Sequence, residues 1–510
     1  MRKYINIIGT AFLAISGGFL MSSCEDFLDK KPLTATLDDL NQGSLEGQIL
    51  GLYSNVRNSA GFTSLPWISI HSLRADEAEK GSDQSDGAEY VSVLDNFNYA
   101  KDFWATNTYW DDHYALINLA NTAIQTADSL KQDDAISLSN VAEAKFFRAM
   151  SYFDLVRTYG EVPLIDFRIY NASQAIKPKV ATSEIYKLID ADLEFAVANL
   201  PAAWGAQYPG RITSGAAKTL RAKSHLFRKN WAQALSLSKE VIASGQYSLN
   251  DSYYGIFKEA GENSGESIYE IQAYVSPDGI VNEGCQYATT MGIRQSTASG
   301  WNLGWGWNTP TEALVNAFET GDPRKGSTIL FAGQSDDPST GGYGRTLPYS
   351  TFDSIPGILF RKFYNKKVYA DPARQAAANI RDGAPWTNKR VLRYADVVLM
   401  AAEAANETGD GPAAAMYLEM VRGRARKNAS NSSVLPVVAY TGQAQMRDAI
   451  KHERNVEFGM EGERFFDLVR WGDASKVLGP LGYTDRNRYY PIPQPTIDKS
   501  NGVLIQNPEY

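Results

Sequence analysis

Cysteine is nearly absent from this chain: 510 residues hold two, Cys24 and Cys285. Stability must therefore come from packing, which a chain of this length can supply. Histidine is almost as scarce. His71, His113, His225 and His452 are scattered without metal-ligand spacing, and although His452-Glu453 opens like a zinc-protease helix, Val456 stands where the second histidine is needed. No Gly-x-Ser-x-Gly elbow, phosphate loop or Cys–His pairing is present, so the common catalytic motifs are missing and no cofactor or metal is called for. Positive charge is in deficit as well, with 50 Lys and Arg against 58 Asp and Glu for a net charge of −8. That argues against nucleic acid, whose phosphates demand a basic face. The one dense basic run, Arg422, Arg424, Arg426 and Lys427, closes an expected helix, where cations offset the dipole. What remains, 44% hydrophobic and 21% charged residues, is the make-up of an ordinary folded protein.

The first 23 residues stand apart. Arg2 and Lys3 precede an apolar, glycine-containing run over 5–21, the plan of an export signal rather than of a folded element. Met21-Ser22-Ser23-Cys24 resembles a bacterial lipoprotein cleavage site, which implies that Cys24 becomes an acylated N-terminus. Lipid would then be the membrane attachment, since no later segment is apolar enough to span a bilayer. It would also leave Cys285 a lone thiol. Residues 24–40 read as a tether and 41–510 as one domain.

Helical periodicity dominates that domain, so the expected fold class is mainly α. Within 141–157, Phe146, Met150, Phe153 and Val156 share one face, with Lys145, Arg148 and Asp154 elsewhere. About four hairpins are expected, over 141–199, 217–244, 392–426 and 441–472. In the second, small Ala222 and Ala234 mix with bulky Leu226 and Trp231 much as in tetratricopeptide repeats. In the last, Glu453, Glu457 and Asp467 alternate with Arg454, Arg464 and Arg470, the pattern of ion-paired helix surfaces. Two long regions break the helical pattern, 60–108 and 246–385, the second rich in Gly, Tyr, Trp, Asn and Pro, with short β-prone runs such as 267–275. Irregular segments of this length usually carry function.

Five segments carry a resemblance: KHERNVEFGMEGERFFDLVRWG (451–472), EAKFFRAMSYFDLVRTYGEVPL (143–164), LRYADVVLMAAEAANE (392–407), YPIPQPTID (490–498) and LIQNPEY (504–510). Taken in their order along the chain they resemble the SusD/RagB family of nutrient-capturing outer-membrane lipoproteins. The resemblance implies a single SusD-like domain, a SusC-like TonB-dependent transporter as partner, a place on the outer membrane and binding without catalysis. Oligosaccharide is the expected ligand. Peptide, as in RagB-like relatives, is the alternative.

Tryptophan, with a flat apolar face and one N–H donor, suits the C–H face of a sugar. Gly300–Pro310 reads GWNLGWGWNTP, which makes Trp301 and Trp305 candidates, with Trp307 better suited to packing. Trp67 and Trp104 form a second group with Trp110, which leads into a helix and reads as core. The acidic stretch 75–81 resembles a loop of a SusD-like subgroup, and its Asp76 or Glu77 would accept sugar hydroxyls. Calcium is the rival reading of those acids, without EF-hand spacing to support it. Cys285 and Gln286, in a glycine-rich loop, are candidates to line the same cleft.

Overall fold

The described residues of the computed structural model are 44–83, 85–294, 300–336, 342–347, 361–380 and 383–510. Its longer helices, in chain order, are α1 (Leu45–Asn58), α2 (Leu65–His71), α3 (Trp104–Ser129), α4 (Ala135–Tyr159), α5 (Thr182–Asn199), α6 (Ser214–Phe227), α7 (Trp231–Ala243), α8 (Tyr394–Glu407), α9 (Gly411–Lys427), α10 (Gln443–Glu457) and α11 (Arg464–Trp471). Four strands organise the irregular chain: β1 (Ala78–Gly81), β2 (Ser267–Ile271), β3 (Trp307–Pro310) and β4 (Lys389–Arg393). The architecture is mainly α, with short antiparallel two-stranded ribbons rather than one sheet.

From α3 to α10 each helix packs on the next, the stacking expected of tetratricopeptide-like hairpins. α4/α5, α6/α7 and α8/α9 occupy the spans read as hairpins from the sequence, and α3 adds an antiparallel partner for α4 on its other side. α10 packs on α8 and α9, whereas α11 turns away onto α2. The break between α10 and α11 falls over 458–463, where Met460 and Gly462 both take positive φ.

α4 begins at Asp134, whose side chain accepts from the backbone N–H groups of Ile136 and Ser137, and ends at Gly160 with φ 75°. Between 141 and 160 only Lys145 and Arg157 are even partly exposed. The polar face expected for this helix does not meet water. Arg148 instead forks onto Asp192 of α5 at 2.7 Å, Glu143 pairs with Arg211, and Asp154 pairs with Arg157. A helix with neighbours on every side still tolerates charge when each charge finds an opposite one.

The same correction applies to 451–472. Its acids and arginines are paired, but they are core rather than surface. Arg454 is 1% exposed and joins Asp396 and Asp467, both at 2.8 Å. Glu457 is fully buried among Arg324, Arg393 and Arg424. The basic run is likewise drawn inward, Arg422 onto Glu319 and Glu453 and Arg424 onto Glu266 and Glu457. Alternating charge at helical spacing is equally consistent with both placements, so composition alone does not choose between them.

Candidate functional site

The two irregular regions meet through one ribbon. β1 pairs antiparallel with β3, in the register Ala78 with Pro310, Glu79 with Thr309 and Gly81 with Trp307. Gly81 has φ 72°, and a Cβ there would lie 2.4 Å from the Gly306 carbonyl oxygen, so the close approach of the strands needs glycine. Ser82 continues the junction, donating its hydroxyl to the Trp305 carbonyl at 3.0 Å.

Aromatic rings fill the space behind this ribbon. Tyr90 lies edge-on to Phe103 with ring centres 4.9 Å apart, and beside Trp307 at 4.8 Å. Trp104 follows at 6.3 Å from Tyr90. It occupies the first turn of α3 and is 46% exposed, so the row Trp307–Tyr90–Trp104 runs from core to solvent. Trp305 is half-buried, held by its backbone N–H on the Thr289 carbonyl at 2.8 Å. Lys80 reaches over the Trp307 ring at 5.0 Å and donates to the Asp83 carbonyl. Burial lowers its pKa, against the pull of Asp86.

The acids of the loop are largely occupied by cations of this chain. Asp76 is gripped by Arg464 in a fork of 2.8 and 2.9 Å, Glu79 pairs with Arg361 at 2.6 Å, and Asp86 pairs with Arg294. Glu77 is 1% exposed and neither carboxyl oxygen has a side-chain hydrogen-bond partner. Burial, reinforced by Asp76, pushes its pKa up to about 8. Asp95, which accepts from the Lys80 backbone, is pushed up to about 7, also by burial.

The other expected site residues are dispersed. Trp67, on α2, is 5% exposed: Lys389 sits 3.5 Å above its ring, His71 stacks against it and Tyr287 meets its edge. Trp301 is 3% exposed, with Arg345 3.9 Å from its ring and Tyr369 stacked alongside. Neither ring offers sugar an open face, so the expectation for both fails on packing. Cys285 is 4% exposed and its thiol donates to the Thr387 carbonyl at 3.5 Å. Burial raises its pKa to about 11, leaving it a small buried hydrophobe. Gln286 beside it is exposed, and Cys24 lies outside the described residues. Tyr90 was not singled out by its sequence context, because what qualifies it is the company of Phe103, Trp104 and Trp307.

Stacked helices thus carry a ribbon and an aromatic row that ends at the exposed ring of Trp104. Two family models match the chain: that described as starch-binding associating with outer membrane over residues 26–226, and that of the SusD family over 265–485. Between them they span most of the sequence, and the chain belongs to the SusD family. SusD-like protein P2 of Formosa agariphila is 29% identical to it, over 86% of this chain and 87% of its own. A solved structure described as a laminarin binding SusD-like protein matches with a TM-score of 0.73 at 26% identity, covering 91% of this chain and 99% of that one. Surface glycan-binding protein A from Bacteroides thetaiotaomicron, in complex with laminarihexaose, matches with a TM-score of 0.73 at 24% identity, over 91% and 98% of the two chains, which bears on the fold alone.

Proposed function

We propose that this protein is a non-catalytic surface lipoprotein that captures oligosaccharide and passes it to a SusC-like TonB-dependent transporter of the outer membrane. The observation that carries the reading is Trp104, an indole 46% exposed at the solvent end of an aromatic row that runs through Tyr90 to Trp307. A rigid, half-exposed indole backed by other rings stacks on a sugar with little further ordering cost. The laminarin-binding relative makes a neutral glucan the first ligand to try. Exposed Gln286 remains part of the proposal as a polar contact, whereas Asp76 and Glu77 sit behind the ribbon, one ion-paired and the other buried. Acylation at Cys24 would hold the protein on the membrane.

Affinity electrophoresis of the mature protein without Cys24, in gels containing laminarin and other neutral polysaccharides, tests this directly. Wild type is expected to be retarded by one of them. Trp104→Ala is expected to lose about 2 kcal/mol or more of affinity, roughly 30-fold, and Trp305→Ala a smaller amount. Free migration of wild type in every gel, or retardation unchanged in both variants, would overturn the assignment. For the anchor, Cys24→Ser is expected to move the protein from the membrane to the soluble fraction of fractionated cells, and its retention on the membrane would count against lipidation.

A further inference from the structure

A second cleft, of about 420 Å³, opens where the C-terminal ends of α4, α6 and α11 meet the first turn of α5 and the Arg488–Tyr489 segment. Five cations line it, Arg157, Arg228, Lys229, Arg470 and Arg488, and no carboxylate is among its lining residues. Three of them are engaged from behind: Arg157 with Asp154 at 2.6 Å, Arg228 with Asp190 at 2.7 Å, and Arg470 with Glu403 and Asp467. Helix C-termini attract cations, which accounts for Arg228 and Arg470 without a ligand.

Arg157, in the last turn of α4, and Lys229, just past the end of α6, are placed by the same helix ends, which leaves Arg488 outside that explanation and the five cations unequally paired. Lys229 and Arg488 are both exposed, and neither has an ion-pair partner among the described residues. Arg157 is 92% buried at its side chain by its 8% exposure, and its Nη1 makes no hydrogen bond, with Glu463 no nearer than 4.0 Å. The 18-residue helix α5 starts at this cleft from Ala181, which supplies no side-chain cap, so amides of its first turn are left for another acceptor. Its first-turn acid, Glu184, is turned to Lys187 at 2.7 Å. Tyr186 carries the guanidinium of Arg228 4.7 Å above its ring.

We propose that this cleft binds a carboxylate carried on a sugar-sized ring, a uronate unit. Guanidinium forks match planar carboxylates, and the unpaired cations supply the charge that such a group would neutralise. Phe227 and Tyr489, both half-buried, give the ring an apolar wall, and the volume lies in the range of small-molecule sites. The site shares no lining residue with the tryptophan platform and does not depend on the function proposed for it.

Calorimetric titration of the whole mature protein with glucuronate, glucose and inorganic sulfate tests the proposal, at ~0.05 M and ~0.5 M salt. Glucuronate is expected to bind, to weaken at the higher salt, and to weaken at least ~10-fold in the Lys229→Ala/Arg488→Ala double variant. Both positions are exposed and free of ion pairs, so the variant should melt with wild type, and Trp104→Ala should bind glucuronate normally. The proposal fails if glucuronate binds no better than glucose, if sulfate alone binds as tightly as glucuronate, if the double variant binds like wild type, or if Trp104→Ala loses the binding too.

Discussion

Trp67 and Trp104 carry the same indole, and the residues around them decide which one meets solvent. Lys389 and His71 cover Trp67, while Trp104 has Tyr90 on one side and water on the other. Sequence spacing marks both as candidates because those neighbours come from distant segments. Glu77 shows the same limit, since nothing adjacent announces a buried carboxyl. With its pKa raised to about 8, it binds a proton in the folded state that the unfolded chain releases near 4.5. Its contribution to stability is therefore favourable at low pH and declines as pH rises from about 4.5 to 8. Glu77→Gln should stabilise the protein by ~1–3 kcal/mol at pH 8 and change little at pH 4.5, read from paired thermal melts. A gain of the same size at both pH values would contradict the assignment.

At the scale of elements, helices were far more legible than loops. Periodicity located α4 to α10, because the 3.6-residue rhythm survives wherever helices stack on helices. It misjudged which faces are wet. In α4 and α10 the charged positions look outward on a wheel but meet α5, α8 and α9 instead. Arg454→Ala would remove one of the two cations that hold each of Asp396 and Asp467 in the core, leaving Lys223 and Arg470, and should cost ~3 kcal/mol in urea unfolding. The β1–β3 pairing left no trace in the sequence, since each strand has only four residues and its partner lies in another region. Gly81→Ala should disturb that ribbon through its 2.4 Å approach to Gly306, weakening glycan retardation more than it lowers the melting temperature. A variant that binds like wild type would show the ribbon to be dispensable for the platform.

For the molecule as a whole, buried ion pairs set the response to acid. Burial by itself would raise the pKa of Glu457, but Arg424, Arg393 and Arg324 overcome it and hold the carboxyl at about 2. Asp396 and Asp154 are held below the usual range as well, against burial, by Lys223 and Arg454 in one case and by Arg157 and His113 in the other. Groups with depressed pKa stabilise above their unfolded values and lose that contribution as pH falls through the folded ones. The melting temperature should therefore drop steeply below about pH 4.5 and depend little on salt there, because pairs out of water are poorly screened. A gradual, salt-sensitive decline would point to surface charge instead.

Assembly has an order imposed by that same ribbon. Ala78 and Pro310 are neighbours in space but are separated along the chain by α3 through α7. Closing so long a loop is entropically slow compared with stacking one helix on the next. A chain emerging N-terminus first thus has its early helices in place while the segment bearing Trp305 has yet to arrive. The platform proposed above is therefore complete only once residues 307–310 have joined β1, late in the folding of the chain.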